Sequence, residues 1–153
     1  MDYEIEIRQV VGRPAVFARA TCGHDEIGPT LARVFGTVGQ SAQRQGLTMA
    51  GPPFCRYTAW RETDCDLEGG MPVLANGAND GEVVAGELGG CTAAATLHTG
   101  PYEDLPKAHS AVRTWITQQG KDFAGPCWES YLTDPGTEPD SSKWLTEVYY
   151  PVG

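Results

Sequence analysis

The feature that most constrains this chain is an internal repeat. Gln43-Arg44-Gln45-Gly46 returns as Thr117-Gln118-Gln119-Gly120, 74 residues further on. At the same offset Gly51-Pro52-Pro53-Phe54-Cys55-Arg56-Tyr57 aligns with Gly125-Pro126-Cys127-Trp128-Glu129-Ser130-Tyr131, His24 with His98 and Leu31 with Leu105. Both halves close on Pro-Val, at Pro72-Val73 and Pro151-Val152. Gly and Pro coincidences are common, but Gly-Pro-x-aromatic-x-x-Tyr at a constant distance from a shared Gly is not. The 153 residues are therefore expected to form a single domain over 1–153, with repeat 1 over about 1–75 and repeat 2 over about 80–153.

Each half carries one amphipathic helix. From Ile27 apolar residues recur at Leu31, Val34, Phe35, Val38 and Ala42, and in the second half at Leu105, Ala108, Val112, Trp115 and Ile116. Pro29 and Pro106 lie near the two starts, where a missing N–H costs nothing, and Gly46 and Gly120 end the runs. Gly36 and Gly39 weaken the first helix and are expected to permit close backbone packing. Strands are predicted over 3–8, 15–20, 54–60, 128–132 and 144–150. Segments 82–88 and 91–97 flank Gly89-Gly90 and read as a hairpin. The expected class is α+β: two pseudo-symmetric βαββ repeats forming one antiparallel sheet with two helices on one face.

Charge and cysteine usage narrow the function. Eleven Lys and Arg stand against twenty Asp and Glu, a net charge of −9, which suits no phosphate backbone; direct nucleic-acid binding is not expected. No apolar run reaches the ~20 residues of a membrane span, and the opening MDYEIEIRQV is not a signal peptide. Five cysteines without a CxxC pair fit a cytoplasmic protein with reduced thiols. Three histidines without HxH, HxxxH or HExxH predict no metal, and no P-loop, GxGxxG or serine elbow implies a cofactor.

Aromatic residues gather on the aligned strands and at the C-terminus. Two-residue alternation sets Cys127, Glu129 and Tyr131 on one face and Trp128 and Ser130 on the other, with Cys55 aligned to Glu129 and Tyr57 to Tyr131. A carboxylate on an apolar face costs several kcal/mol unless it is hydrogen-bonded or paired. Two readings follow. Glu129 is structural, bonded to a Tyr hydroxyl or to an Arg such as Arg56. Alternatively, it is a ligand-facing acid in an aromatic pocket, suited to a cation or a polarised aromatic molecule. His98, between strand and helix, is expected to bond backbone groups there, with a general-base role as the alternative.

His98-Thr99-Gly100-Pro101-Tyr102-Glu103-Asp104-Leu105, Gly125–Tyr131, Trp144–Val152 and Asp66–Val73 together resemble the GyrI-like small-molecule-binding domain. That domain is the effector-binding part of many bacterial AraC-type and MerR-type transcription regulators. The resemblance spans nearly the whole chain and implies a central ligand cleft flanked by strands 54–60 and 127–132. It also places Glu129 at the family's ligand-contacting glutamate. Two departures stand out: there is no helix-turn-helix segment, and Leu88-Gly89-Gly90-Cys91 replaces the family's hairpin proline. The expected function is a stand-alone binder of hydrophobic or aromatic, including cationic, small molecules, contacted by Glu129, Tyr131, Trp128, Phe54, Tyr57, Trp60 and Cys55. Two alternatives are a hydrolase of cyclopropane-bearing or similarly strained electrophilic genotoxins using Glu129 and Tyr131, and a gyrase-binding or other protein-binding module.

Overall fold

Both helices form on the predicted stripes, α1 over Ile27–Arg44 and α2 over Leu105–Gln118. The computed structural model describes residues 3–153; Met1 and Asp2, where the expected domain begins, lie outside them. The buried apolar residues of α1, Leu31, Val34, Val38 and Ala42, correspond one for one at the 74-residue offset to Leu105, Ala108, Val112 and Ile116 of α2. The extra turn of α1 is therefore at its N-terminal end. Both helices finish in the same cap. Gly46 and Gly120 each adopt φ 68°, and the next N–H reaches back five residues, Leu47 to the Ala42 carbonyl and Lys121 to that of Ile116.

Eight strands complete the fold: β1 (Glu6–Val10), β2 (Arg13–Gly23), β3 (Phe54–Trp60), β4 (Asp64–Pro72), β5 (Val83–Leu88), β6 (Cys91–Thr99), β7 (Trp128–Tyr131) and β8 (Leu145–Pro151). Every named ladder is antiparallel, so the α+β class holds. The chain divides into two compact units, one of Val11–Gly90 and one of the residues up to Val10 together with Cys91–Gly153. In the first unit β2 pairs with both β4 and β5, and β4 with β3, with α1 packed on β2 and β4. In the second, β6 pairs with β1 and β8, and β8 with β7, with α2 packed on β6 and β8.

The predicted hairpin across Gly89-Gly90 does not form. β5 pairs with β2, in the register Ala18 to Val83, and β6 with β1 and β8. A Gly-Gly step reads locally as a hairpin turn, but burial decides the pairing. On the edge of β2, Val83 joins the cluster of Val16, Ala18, Val34 and Val38. The glycines of α1 also differ from expectation. A Cβ at Gly36 or Gly39 would meet nothing within 4 Å. Close helix–sheet approach comes instead from Gly69 of β4, where a Cβ would sit 2.9 Å from Val34 Cγ1. Gly69 and Gly70 also hide β4 from the alternation rule, because glycine is depleted in strands.

Each unit has its own core. Val16, Val34, Val38, Met71 and Val73 centre the first, and Ala94, Val112, Ile116, Val148 and Val152 the second. Among the described residues no helix is long and apolar enough to cross a membrane, and no group of three or more His, Cys, Asp or Glu could hold a metal ion.

Candidate functional site

The site grows from one residue of β7. Alternation turns Glu129 toward α2, where it is 4% exposed. A buried carboxylate must find donors. The Tyr131 hydroxyl donates to Oε1 at 2.6 Å, and His109 of α2 stands with Nε2 2.6 Å from Oε2. Nδ1 of His109 lies 2.7 Å from the Tyr150 hydroxyl of β8, to which Arg113 donates from Nη1 at 3.0 Å. Arg113 follows His109 by one helical turn and is exposed, so the chain of polar groups runs from the buried acid to the surface.

His109 explains how the charge is tolerated. Burial pushes its pKa down, but hydrogen bonds to Cys127 and Glu129 and the charge of Glu129 outweigh that and lift it to about 9. That direction favours an imidazolium facing Glu129 at neutral pH. Burial raises the Tyr150 phenol, assisted by Cys127 and opposed by Arg113.

Beside the acid stands the half-buried ring of Tyr131, the first of a row of three with Tyr102 and Trp144. Tyr102 meets Tyr131 edge-on with centroids 5.5 Å apart, and Trp144 at 4.7 Å. Burial raises the phenol of Tyr102, reinforced by the negative charges of Asp134 and Glu129. An electron-rich cluster under a negative potential favours cations. A surface groove on the outer side of α2, lined by Ile5, Pro106, Ala111 and Trp115, is separate from this cluster and includes none of its residues.

Of the residues expected at a binding site, the structure brings Glu129 and Tyr131 together. Trp128 points to the opposite face of its strand, stacked on Tyr149 at 4.7 Å and 10°, with Arg8 lying 5.6 Å from the Tyr149 ring centre. Phe54, Cys55, Tyr57 and Trp60 belong to the other unit. Phe54 and Cys55 are fully buried, Tyr57 meets Trp60 edge-on at 5.5 Å, and Trp60 is 59% exposed and stacked on His24. Arg56 is not the partner of Glu129: it pairs with Glu68 at 2.7 Å, alongside Arg19 at 2.9 Å. His98 is fully buried and bonds the Pro101 carbonyl through Nε2 at 3.1 Å, the expected backbone role, with Tyr3 on Nδ1 at 2.9 Å.

Sequence reasoning missed His109. Its signal was present: with Leu105, Ala108 and Val112 it completes the buried stripe of α2, at the position where the first half has Phe35. A histidine replacing an aromatic on a buried stripe calls for a partner, and Glu129 takes the place of Cys55 at the same offset.

An antiparallel α+β arrangement of this kind is that of a small-molecule-binding domain. The chain belongs to the GyrI-like small molecule binding domain family, whose model matches residues 3–153. Its fold is similar to the crystal structure of the EcmrR C-terminal domain, with a TM-score of 0.89 and 24% identity over 100% of this chain and 99% of that one. It also matches an EcmrR–DNA complex (TM-score 0.87, 23% identity) over 98% of this chain, spanning 57% of the EcmrR chain. The structure of SAV2435 bound to tetraphenylphosphonium matches with a TM-score of 0.70 and 15% identity over 100% of this chain and 94% of that one. At these identities the likeness is one of fold. No curated protein matches the chain.

Proposed function

We propose that this protein binds hydrophobic aromatic small molecules, organic cations among them, with Glu129 as the acidic contact and Tyr131, Tyr102 and Trp144 as the aromatic wall. The observation that carries the reading is the carboxylate of Glu129, buried yet charge-balanced and bonded to Tyr131, whose ring lies 5.5 Å from that of Tyr102, itself 4.7 Å from Trp144. A carboxylate in low dielectric attracts a cation strongly, and each desolvated ring face adds roughly 2 kcal/mol. The neighbour SAV2435, holding tetraphenylphosphonium in the same fold, supports the ligand class.

The test is a titration with tetraphenylphosphonium and with a neutral aromatic of similar size, followed by tryptophan quenching and melting temperature. A ligand at a hundredfold excess over its Kd adds about 2.7 kcal/mol of stability. Glu129→Gln should weaken cation binding by about 1–3 kcal/mol and leave the neutral ligand nearly unchanged. No quenching and no thermal shift with any aromatic, charged or neutral, would count decisively against this function.

A hydrolase reading rests on one further observation, the imidazole–carboxylate contact of 2.6 Å between His109 and Glu129, a geometry suited to moving a proton. It predicts turnover of a strained electrophile that Glu129→Gln abolishes while binding persists. Absence of turnover in the wild-type protein eliminates it.

A further inference from the structure

We propose that His109 is the resident counter-cation of Glu129, and that an organic cation binds in exchange for the proton of His109, one proton leaving for each ligand bound. This rests on the functional reading above and specifies how that site chooses its ligand.

The pairing belongs to the second unit alone. At the 74-residue offset His109 and Glu129 correspond to Phe35 and Cys55, so the same helix–strand contact carries no charge pair in the first unit. The pair is therefore not a requirement of the fold.

The hydrogen-bond chain accommodates His109 with or without its second proton. When His109 is neutral, Nε2–H donates to Glu129, Tyr150 donates to Nδ1, and Arg113 donates to the Tyr150 oxygen, so each link has one donor and one acceptor. When His109 is charged, Nδ1–H donates to the Tyr150 oxygen, and the phenolic proton turns to Cys127, which also lies in hydrogen-bond contact with Tyr150. The change needs a hydroxyl rotation and no movement of a heavy atom. The exposed Arg113 puts solvent within reach of the Tyr150 end of the chain.

The groups facing His109 include Arg113 on α2, Cys127 just before β7, Glu129 on β7 with Tyr131 bonded to it, and Tyr150 on β8. Beyond them Tyr102 and Asp134 face the same cluster. Among these the hydrogen bond to Cys127, and then the hydrogen bond and charge of Glu129, hold the His109 charge against burial. A ligand cation that becomes the partner of Glu129 removes the support of Glu129 and adds like-charge repulsion. Burial and the repulsion from the bound cation together then favour the neutral imidazole, and the proton goes to the buffer. The charge balance closes: imidazolium, carboxylate and incoming cation become neutral imidazole, carboxylate, bound cation and a released proton.

With the pKa of His109 at about 9, the apparent affinity for a cation should rise about tenfold per pH unit through pH 7–8 and level off above pH 9. A neutral ligand should show no such slope.

The experiment is calorimetric titration of the full chain with tetraphenylphosphonium at pH 7, in phosphate and in Tris, whose ionisation enthalpies differ widely. We expect a heat difference equal to about one proton released, and an affinity that climbs across pH 6.5–8.5. In His109→Gln, which keeps an uncharged donor toward Glu129, the proton release and the pH slope should vanish. Affinity at pH 7 should increase on the order of a hundredfold. Equal heats in the two buffers with a flat wild-type profile would overturn the exchange while leaving the binder reading intact. A His109→Gln protein that binds more weakly with the wild-type slope would overturn it as well. No binding of tetraphenylphosphonium or any other aromatic cation up to pH 9 would overturn both this inference and the cation-binding reading.

Discussion

The His109–Glu129 pair makes the stability of the unliganded protein depend on pH in a defined direction. His109 rises from its ordinary 6.5 to about 9 in the folded chain, so the folded state holds one more proton than the unfolded state between those values. Stability from this group is fully present below pH 6.5 and is lost as pH rises through 9. A shift of that size corresponds to about 3 kcal/mol, at 1.36 kcal/mol per unit. The His109 side chain is only 12% exposed, so solvent screening takes little from it. At this chain length, about 3 kcal/mol is roughly 6–12 °C of melting temperature. The assay is the melting temperature of wild type and His109→Gln from pH 6 to 10, taken as a difference so that the other titrating groups cancel. Wild type should be favoured at pH 6 and lose that advantage by pH 10. A difference that stays constant across this range, or grows with pH, refutes the assignment of a charged histidine to Glu129.

Two further outcomes follow from the fold and from the thiols. Gly36→Ala and Gly39→Ala should each stabilise the protein by about 0.5–1 kcal/mol, because a Cβ meets nothing there and helix propensity improves, whereas Gly120→Ala should cost about 1 kcal/mol at its φ of 68°; chemical denaturation reads both, and a stabilising Gly120→Ala contradicts the cap. Burial and the facing Cys22 push the Cys65 thiol up to about 12, so alkylation at pH 8 should label the half-buried Cys22 well before Cys65, and equal rates read by mass spectrometry would contradict this.

Much of the architecture was legible in the residues because it rests on local or periodic physics. The 3.6-residue stripes of α1 and α2 appear in the sequence because each helix buries one face. The Gly46 and Gly120 caps appear because only glycine adopts a positive φ at no cost. The offset of 74 residues survives intact in the buried apolar positions of both helices. The site was half legible. Glu129 and Tyr131 stand two apart on one strand, so alternation alone places their side chains together, and the structure sets them 2.6 Å apart.

The remainder was decided by contacts between residues far apart in the chain. Gly89-Gly90 reads locally as a hairpin turn, yet β5 joins β2, where Val83 packs into the core of the first unit. Arg56 and Glu129 have opposite charges, yet Arg56 faces Glu68 across the β3–β4 ladder, and the acid is met by a histidine twenty residues away on another element. Period and propensity report on a residue and its neighbours in sequence, so they determined the helices, most of the strands and the repeat. Which charge meets which depends on the face and register each element takes when its apolar side is buried. Tertiary packing therefore decided that Glu129 would be held by His109, and with it the protonation chemistry of the site.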